Sequence, residues 1–412
     1  VIFDGVTAPD VFVELAIGIS TSVDPGTTGF TLDHDHLDTG TLGSLPWVDV
    51  SLDCDRVSFN RGQAGEIEDP QIGQAQIVLD NYSGNYDPSN NGRLYTLLEV
   101  GVAVWIKAVW AGVTYQLFRG YVDNIQVDAG YPPSVTLSCT DGLEVLGRAM
   151  SHPSYPDGDQ SGVRVGKILD TAMWPSGLRS IDTGYSQCQA LSSALPAQSA
   201  LSMLTDTVAT DLGMLAVDGS GNVCFYDRLH VYTATRSLNV QATISDAGTD
   251  IDMLTLTMSR DRALVFNEAR LTRNGGTEQV YDDSASQTKY GIRTWSGRAG
   301  TMLRTDVEAL TLGSWIVGRF RAPVNRVTQV HIDGASQGMW ASLLGLTYLD
   351  RIRVIRHYGA PNTITMDIQV VIIGMSMDIS QDSWLVDYNT RNIDGFQPFI
   401  LDTSKLNTGT LA

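Results

Sequence analysis

Basic residues are missing from the first 55 positions, where ten carboxylates precede Arg56, the first cation of the chain. Cysteine is scarce: Cys54, Cys139, Cys188 and Cys224 stand far apart, with no CxxC pair and no Cys/His cluster. Reduced, buried thiols are therefore expected, and neither a disulfide frame nor a structural zinc site. Long apolar runs are lacking too, since no stretch approaches the ~20 residues a spanning helix needs. Val11–Ser20 is apolar but is interrupted by Glu14 and has no basic flank, so it reads as a strand and not as a signal peptide. With 27 Lys and Arg against 46 Asp and Glu, the net charge of −19 leaves no basic footprint for tight nucleic-acid binding.

What is present is β-strand patterning. At 412 residues and 43% hydrophobic composition, two or three domains with sizeable cores are expected. Trp47–Cys54 alternates without a break, which predicts Val48, Val50, Leu52 and Cys54 on one strand face. The alternation changes phase at Asp55-Arg56, the signature of a bulge, and resumes at Val57 and Phe59. Strands follow at Gln74–Asp80, Val102–Trp110, Val113–Val122 and Val135–Thr140. Trp110-Ala-Gly-Val113 predicts a tight hairpin with Trp110 and Tyr115 as a cross-strand pair. Asp80–Gly92 is a dense run of turn formers.

Leu79-Asp80-Asn81, Tyr86-Asp87-Pro88, and Leu117-Phe118-Arg119-Gly120 with Val122-Asp123 occur in an order that resembles the first domain of one family. These are the minor tail proteins of siphophages infecting actinobacteria, a family similar to the trimeric baseplate-hub proteins that end the phage tail tube. The matching residues are turn and strand residues and speak for fold and assembly. The resemblance implies two tube-type β-barrel or sandwich domains flanking a small α+β module, in a mainly β fold. It implies a homotrimer at the distal end of the virion tail. Its partners would be the distal tail ring, the tape measure and other minor tail proteins, with DNA present only transiently in the lumen.

Along the chain, residues 1–46 read as an acidic arm, 47–147 as the first β-domain, 148–235 as the α+β module, 236–388 as the second β-domain and 389–412 as a tail. In the module, Val163–Trp174 predicts a helix that ends before Pro175. Ser199–Leu212 predicts a second, with Gly213 as its stop, followed by a hairpin across Asp218–Asn222. In the second β-domain, strands are expected at Leu254–Ser259, Asn267–Thr272, Arg326–Ile332, Arg351–His357 and Asp367–Ile379. One helix, Asp306–Phe320, is expected there, capped by Asp306, with Leu310, Ile316, Val317 and Phe320 as its apolar side.

From Thr257 to Arg356, 14 basic residues face nine acidic ones, a local +5. Charge polarised in this way suggests contacts between copies, with Arg319, Arg321, Arg351, Arg353 and Arg356 as the candidates. Several motifs look chemical. Gly334-Ala-Ser-Gln-Gly338 matches a nucleophile elbow, with Asp350 and His357 following in hydrolase order, yet 21 residues cannot hold the two βα units such an acid and histidine come from. Asp157–Gly162 opens like a calcium loop, but Ile168 takes the place of the closing Glu. His34 and His36 offer two imidazoles and lack a third strong ligand. Glu66 with Glu68, or Asp250 with Asp252, are carboxylate pairs of the kind a wall-degrading glycosidase uses. An exposed platform of Trp105, Trp110 and Tyr115 would suit a carbohydrate-binding adhesin. No catalytic residue, cofactor or metal site is assigned. The favoured reading is a structural tail-tip subunit continuing the tube for genome ejection, with a lysin or an adhesin as the alternatives.

Overall fold

Strands form where apolar and polar side chains alternate, and fourteen of them join one sheet. In this computed structural model the described residues are 8–17, 47–90, 98–151, 154–192, 196–247, 250–295, 302–334, 339–359 and 364–393. The first half of the sheet comprises β1 (Asp10–Ala16), β2 (Trp47–Asp49), β3 (Cys54–Gly62), β4 (Gln74–Asp80), β5 (Ala103–Trp110), β6 (Val113–Asp128) and β7 (Ser134–Thr140). The second comprises β8 (Val240–Ser245), β9 (Ile251–Asp252), β10 (Thr255–Ser259), β11 (Arg326–Asp333), β12 (Arg351–Tyr358), β13 (Ile364–Ser380) and β14 (Ser383–Asn392). Their order is β9-β8-β12-β13-β3-β4-β7-β6-β5-β1-β2, and β14, β11 and β10 branch from β13. Pairing is antiparallel except where β8 runs parallel to β9 and β12.

The halves meet edge to edge. β3 pairs with β13 from Gly62↔Gly374 to Arg56↔Ser380. One hydrophobic cluster accordingly runs through both, with Val57, Ile77 and Leu137 from the first half and Val370, Met375 and Ile379 from the second. Between them in sequence lies the α+β insert, with α1 (Gly142–Arg148), α2 (Ser161–Thr171), α3 (Ala200–Asp211) and the hairpin Met214–Val217/Val223–Tyr226. It has its own core of Val165, Leu169, Leu204, Val208 and Phe225. The short helices α4 (His230–Thr233) and α5 (Thr235–Leu238) lead back to the sheet. The fold is mainly β with an α+β insert, as the patterning predicts.

Several local expectations are corrected. Trp47–Cys54 is not one strand: a 3-10 turn at Ser51–Asp53 leaves Leu52 78% exposed. The phase change beyond it is a register shift between Cys54 and Arg56, as a bulge requires. Tyr115 stands opposite Ala108, and the Trp110 ring packs 6.4 Å from that of Trp340. At the end of α3 it is Leu212, not Gly213, that takes the left-handed conformation, with φ 50°. Among the described residues the second half holds three helices, α6 (Ser284–Tyr290), α7 (Asp306–Phe320) and α8 (Trp340–Leu344), where one was expected. Thr305, not Asp306, caps α7, in a reciprocal capping box with Glu308. Leu310 is 40% exposed, and Ala309, Leu312 and Trp315 join the buried side in its place. β14 runs across position 388 to Asn392.

Candidate functional site

One face of the sheet is polar over eight strands. Residues directly opposed on neighbouring strands share a face, so the register can be followed from strand to strand. One rung reads Thr255, His331, Asp387, Ser376, Asn60, Gln74, Thr140 and Tyr121, across β10, β11, β14, β13, β3, β4, β7 and β6 in turn. The next reads Asp333, Leu385, Asp378, Ser58, Gln76, Ser138 and Asn124. Thr136 with Gln126, and Asp80 with Ser134 and Asp128, extend the same face. Where the halves join, around Asn60, Gln76, Ser376 and His331, it forms a depression with about 330 Å³ of room.

Its chemistry is hydroxyl and amide, with charge of one sign. Asp80, Asp128, Asp333, Asp378 and Asp387 stand on these rungs against one cation, Arg56. That cation is committed: Arg56 Nε donates to Asp378 Oδ1 at 2.8 Å, so hydrogen bonding and charge from Asp378 raise the guanidinium's affinity for its proton. His331 Nδ1 lies 2.5 Å from Asp387 Oδ1. A phosphate chain crossing this face would meet no unpaired Lys or Arg on the rungs named.

The family-motif residues have structural work to do. Asn81 Oδ1 accepts from the Tyr86 backbone N–H at 3.1 Å, and Tyr86 Oη donates to Asp53 at 2.6 Å, which folds the turn-rich loop onto the sheet end. Leu79 is fully buried, Asp80 accepts from the Tyr82 N–H, and Asp87, ahead of Pro88, accepts from both the N–H and the hydroxyl of Ser89. The Phe118 ring packs 6.1 Å from that of Phe59. Arg119 lies over the rings of Trp47 and Trp105 and donates to the Ser220 carbonyl at 3.3 Å, joining the insert's Gly-rich turn to β6. Gly120 admits no side chain, because a Cβ there would collide with the Thr140 carbonyl.

The arginine candidates separate. Arg319 points inward, with its Nε 2.9 Å from Glu66 Oε1, while Arg326 Nε approaches Glu66 Oε2 at 3.2 Å. Burial alone would push the Glu66 carboxyl up, but Arg319 and Arg326 together hold it below its usual range. Arg321 pairs with Asp283 at the surface. Arg351 donates to the Ser237 carbonyl and to Gln369, and Arg353 pairs with Asp367. Strand alternation sets Arg356 on the face opposite to Arg351 and Arg353, 3.8 Å from Asp246. The five are thus not one patch.

The chemical-looking motifs are not assembled either. Asp350 is buried and holds Arg236, whereas His357 bonds Asp246 at 2.7 Å, so the acid and imidazole of the hydrolase pattern serve different partners. Residues 335–338, with Ser336 among them, and His34 and His36 lie outside the described residues. Asp157 pairs with Arg304, and Asp159 with Arg164 and Lys167. Glu66 is enclosed by arginines, while Glu68 accepts from Gln71. Among the described residues no group of three His, Cys, Asp or Glu side chains could hold a metal. Trp105, Trp110 and Tyr115 are each half-buried, with Trp105 between Trp47, Lys107 and Arg119 and the other two packed on the core, so they make no open platform.

Sequence comparison is silent: no family model and no curated protein matches the chain. Solved structures do match. The tail protein from Neisseria meningitidis MC58 superposes with a TM-score of 0.56 at 12% identity, covering 94% of this chain and 98% of its own. The 43 kDa tail protein of prophage MuSo2 from Shewanella oneidensis gives 0.55 at 13% identity, with the same coverage. At this identity the likeness is one of fold, and it extends over nearly the full length of both chains.

Proposed function

We propose that this chain is a structural subunit of a phage tail, and that copies of it close into a ring, a trimer on the family resemblance, continuing the tail tube at the distal tip. The observation that carries this reading is the eight-strand polar face. The two β-halves are fused through β3 and β13, strands about 300 residues apart in sequence, so each copy would bring a double-width wall to the ring. On the rungs named above the wall's polar face carries hydroxyls, amides and carboxylates, and the arginine beside them is neutralised, which suits a lumen that must let DNA pass without holding it. Full-length likeness to two tail proteins supports the same fold-level placement. The role is conduit and scaffold, with no catalytic step assigned. Neighbouring tail proteins, the distal tail ring and the tape measure among them, would dock on the ring's two ends.

Mass photometry of the purified chain followed by electron microscopy tests this. The expected result is a closed oligomer with a central channel lined by Asn60, Gln76 and Ser376. A monomer at all concentrations, or a ring whose channel is lined by another surface, would overturn it. The double substitution Arg351→Glu/Arg353→Glu is expected to weaken ring closure while leaving the monomer folded. Both guanidiniums lie toward the outer end of the second half, on β12 between β8 and β13, and their partners, the Ser237 carbonyl, Gln369 and Asp367, are local to that end.

A further inference from the structure

A cleft opens where three parts of the chain meet: the loop after β3, α3 with the strand following it, and α7 with the end of β14. Glu66, Arg228, Trp295, Trp315, Arg319 and Arg391 line it, around about 100 Å³ of open space. Its guanidiniums outnumber the carboxylate they enclose. Glu66 is already shared between Arg319 and Arg326. Arg391 makes neither a close ion pair nor a side-chain hydrogen bond to a described residue and shares only the longer-range attraction of Glu66, which the other arginines already hold. Arg228 is only 7% exposed, with its guanidinium 4.4 Å from the Tyr185 ring centre and 5.4 Å from that of Trp315. Its Nε and Nη1 are buried and have no hydrogen-bond partner. The carboxylate that could serve it, Asp211, is spent on the Ser161 hydroxyl and the backbone N–H groups of Tyr185 and Ser186. Buried donors of a charged group left unsatisfied are costly, and an arriving anion relieves that cost.

We infer that this cleft is a binding site for a carboxylate, presented by a Glu or Asp side chain of another protein chain, with Arg228 and Arg391 as its donors. The rim decides for a carboxylate over a phosphate polymer. Glu68 and Asp69 stand exposed at the opening and repel an extended polyanion, while a single short side chain can pass between them. The volume suits a small planar group, and the rings of Trp295, Trp315 and Phe320 offer apolar surface for its methylenes. This assignment does not depend on the tube reading, since it concerns a different surface of the molecule.

The test is titration of the full chain with N-acetylglutamate amide at fixed ionic strength, read by tryptophan fluorescence and calorimetry, because two indoles line the site. N-acetylglutamine amide and inorganic phosphate are the comparison ligands. Saturable binding of the glutamate probe is expected, with no response to the glutamine probe and a weaker one to phosphate. Arg391→Gln, whose fold is checked by circular dichroism, is expected to lower the affinity about tenfold or more, as loss of a charge-assisted hydrogen bond does. Arg228→Gln should do the same where it folds. A wild-type protein that does not distinguish the two amides, a phosphate affinity equal to or above that of the glutamate probe, or an unchanged affinity in Arg391→Gln would each overturn the assignment.

Discussion

Gly62 of β3 stands directly opposite Gly374 of β13, and the two backbones approach so closely that neither position can carry a side chain. A Cβ on Gly62 would lie 2.5 Å from the Ile373 carbonyl oxygen and 2.7 Å from the Gly374 Cα, at a φ of +87° that only glycine adopts without strain. A Cβ on Gly374 would meet the Gln63 carbonyl. This contact sits at one end of the seam between the two halves of the sheet. Gly62→Ala and Gly374→Ala are each expected to cost about 3 kcal/mol or more by urea denaturation, through strain and lost seam pairing. Gly112→Ala has a similar positive φ but open space around it, so it should cost only about 1 kcal/mol. Equal losses at Gly62 and Gly112, which share a positive φ, would show that backbone strain alone, and not the seam, sets the effect there.

Glu66 is the single carboxylate among Arg319, Arg326 and Arg391, and its removal leaves buried cations without compensation. Glu66→Gln is therefore expected to lower stability by about 3–5 kcal/mol, the range for breaking one side of a buried pair. The sign of the pH dependence follows from its depressed pKa. The stabilisation is present above the ordinary glutamate value and is lost as pH falls through the lower folded value. Acid unfolding of the wild type should accordingly show a loss below the usual carboxylate range that Glu66→Gln lacks, measured as midpoint against pH.

Asp141 has the opposite sign. It caps α1 through the Leu143 N–H and also accepts from the Gly73 N–H at 2.8 Å, but burial outweighs both bonds and pushes its carboxyl up to about 7. The folded chain thus holds a proton that the unfolded chain has released. Stability falls as pH rises from the ordinary aspartate value of 3.8 to about 7 and levels off above, by at most about 1.4 kcal/mol per pH unit. Asp141→Asn should flatten that slope at the cost of one cap bond. A slope unchanged in the variant would assign it to other groups.

These three predictions rest on features of unequal visibility in the sequence. Strict alternation marked β3, β4, β7 and β12 because a half-buried strand shows a period of two. The break at Ser51–Asp53 was hidden, since a 3-10 turn can keep the alternation while turning Leu52 to solvent. The capping box of α7 was legible in Thr305-Asp-Val-Glu308, yet Asp306 is also a good cap residue and masked it. The polar face could not be read in advance. Each strand shows its own polar side, but the pairing of Ser58 with Asp378, 320 positions later, belongs to tertiary register. The same holds for Glu66, whose partners Arg319 and Arg326 lie 253 and 260 positions away. Counting arginines suggested one cluster; the inward turn of Arg319 and the opposite strand faces of Arg353 and Arg356 disperse it.

The polar face yields the prediction that bears most directly on the conduit. Gln76 and Asn124 are exposed on one rung, with side chains that make no contact the fold depends on, so replacing both with lysine should change stability by no more than about 0.5 kcal/mol per site. In a closed ring each copy would add two cations to rungs that hold no unpaired Lys or Arg. Phosphates passing close to such a surface would be held by counterion release, an effect that weakens steeply with salt. Particles carrying Gln76→Lys/Asn124→Lys are therefore expected to assemble in normal yield and to release DNA more slowly at low salt, with the delay shrinking as salt rises. Glutamate at the same two positions is the control and should leave release unaltered. A lysine variant that ejects at the wild-type rate at every salt concentration would mean that this face does not line the DNA path.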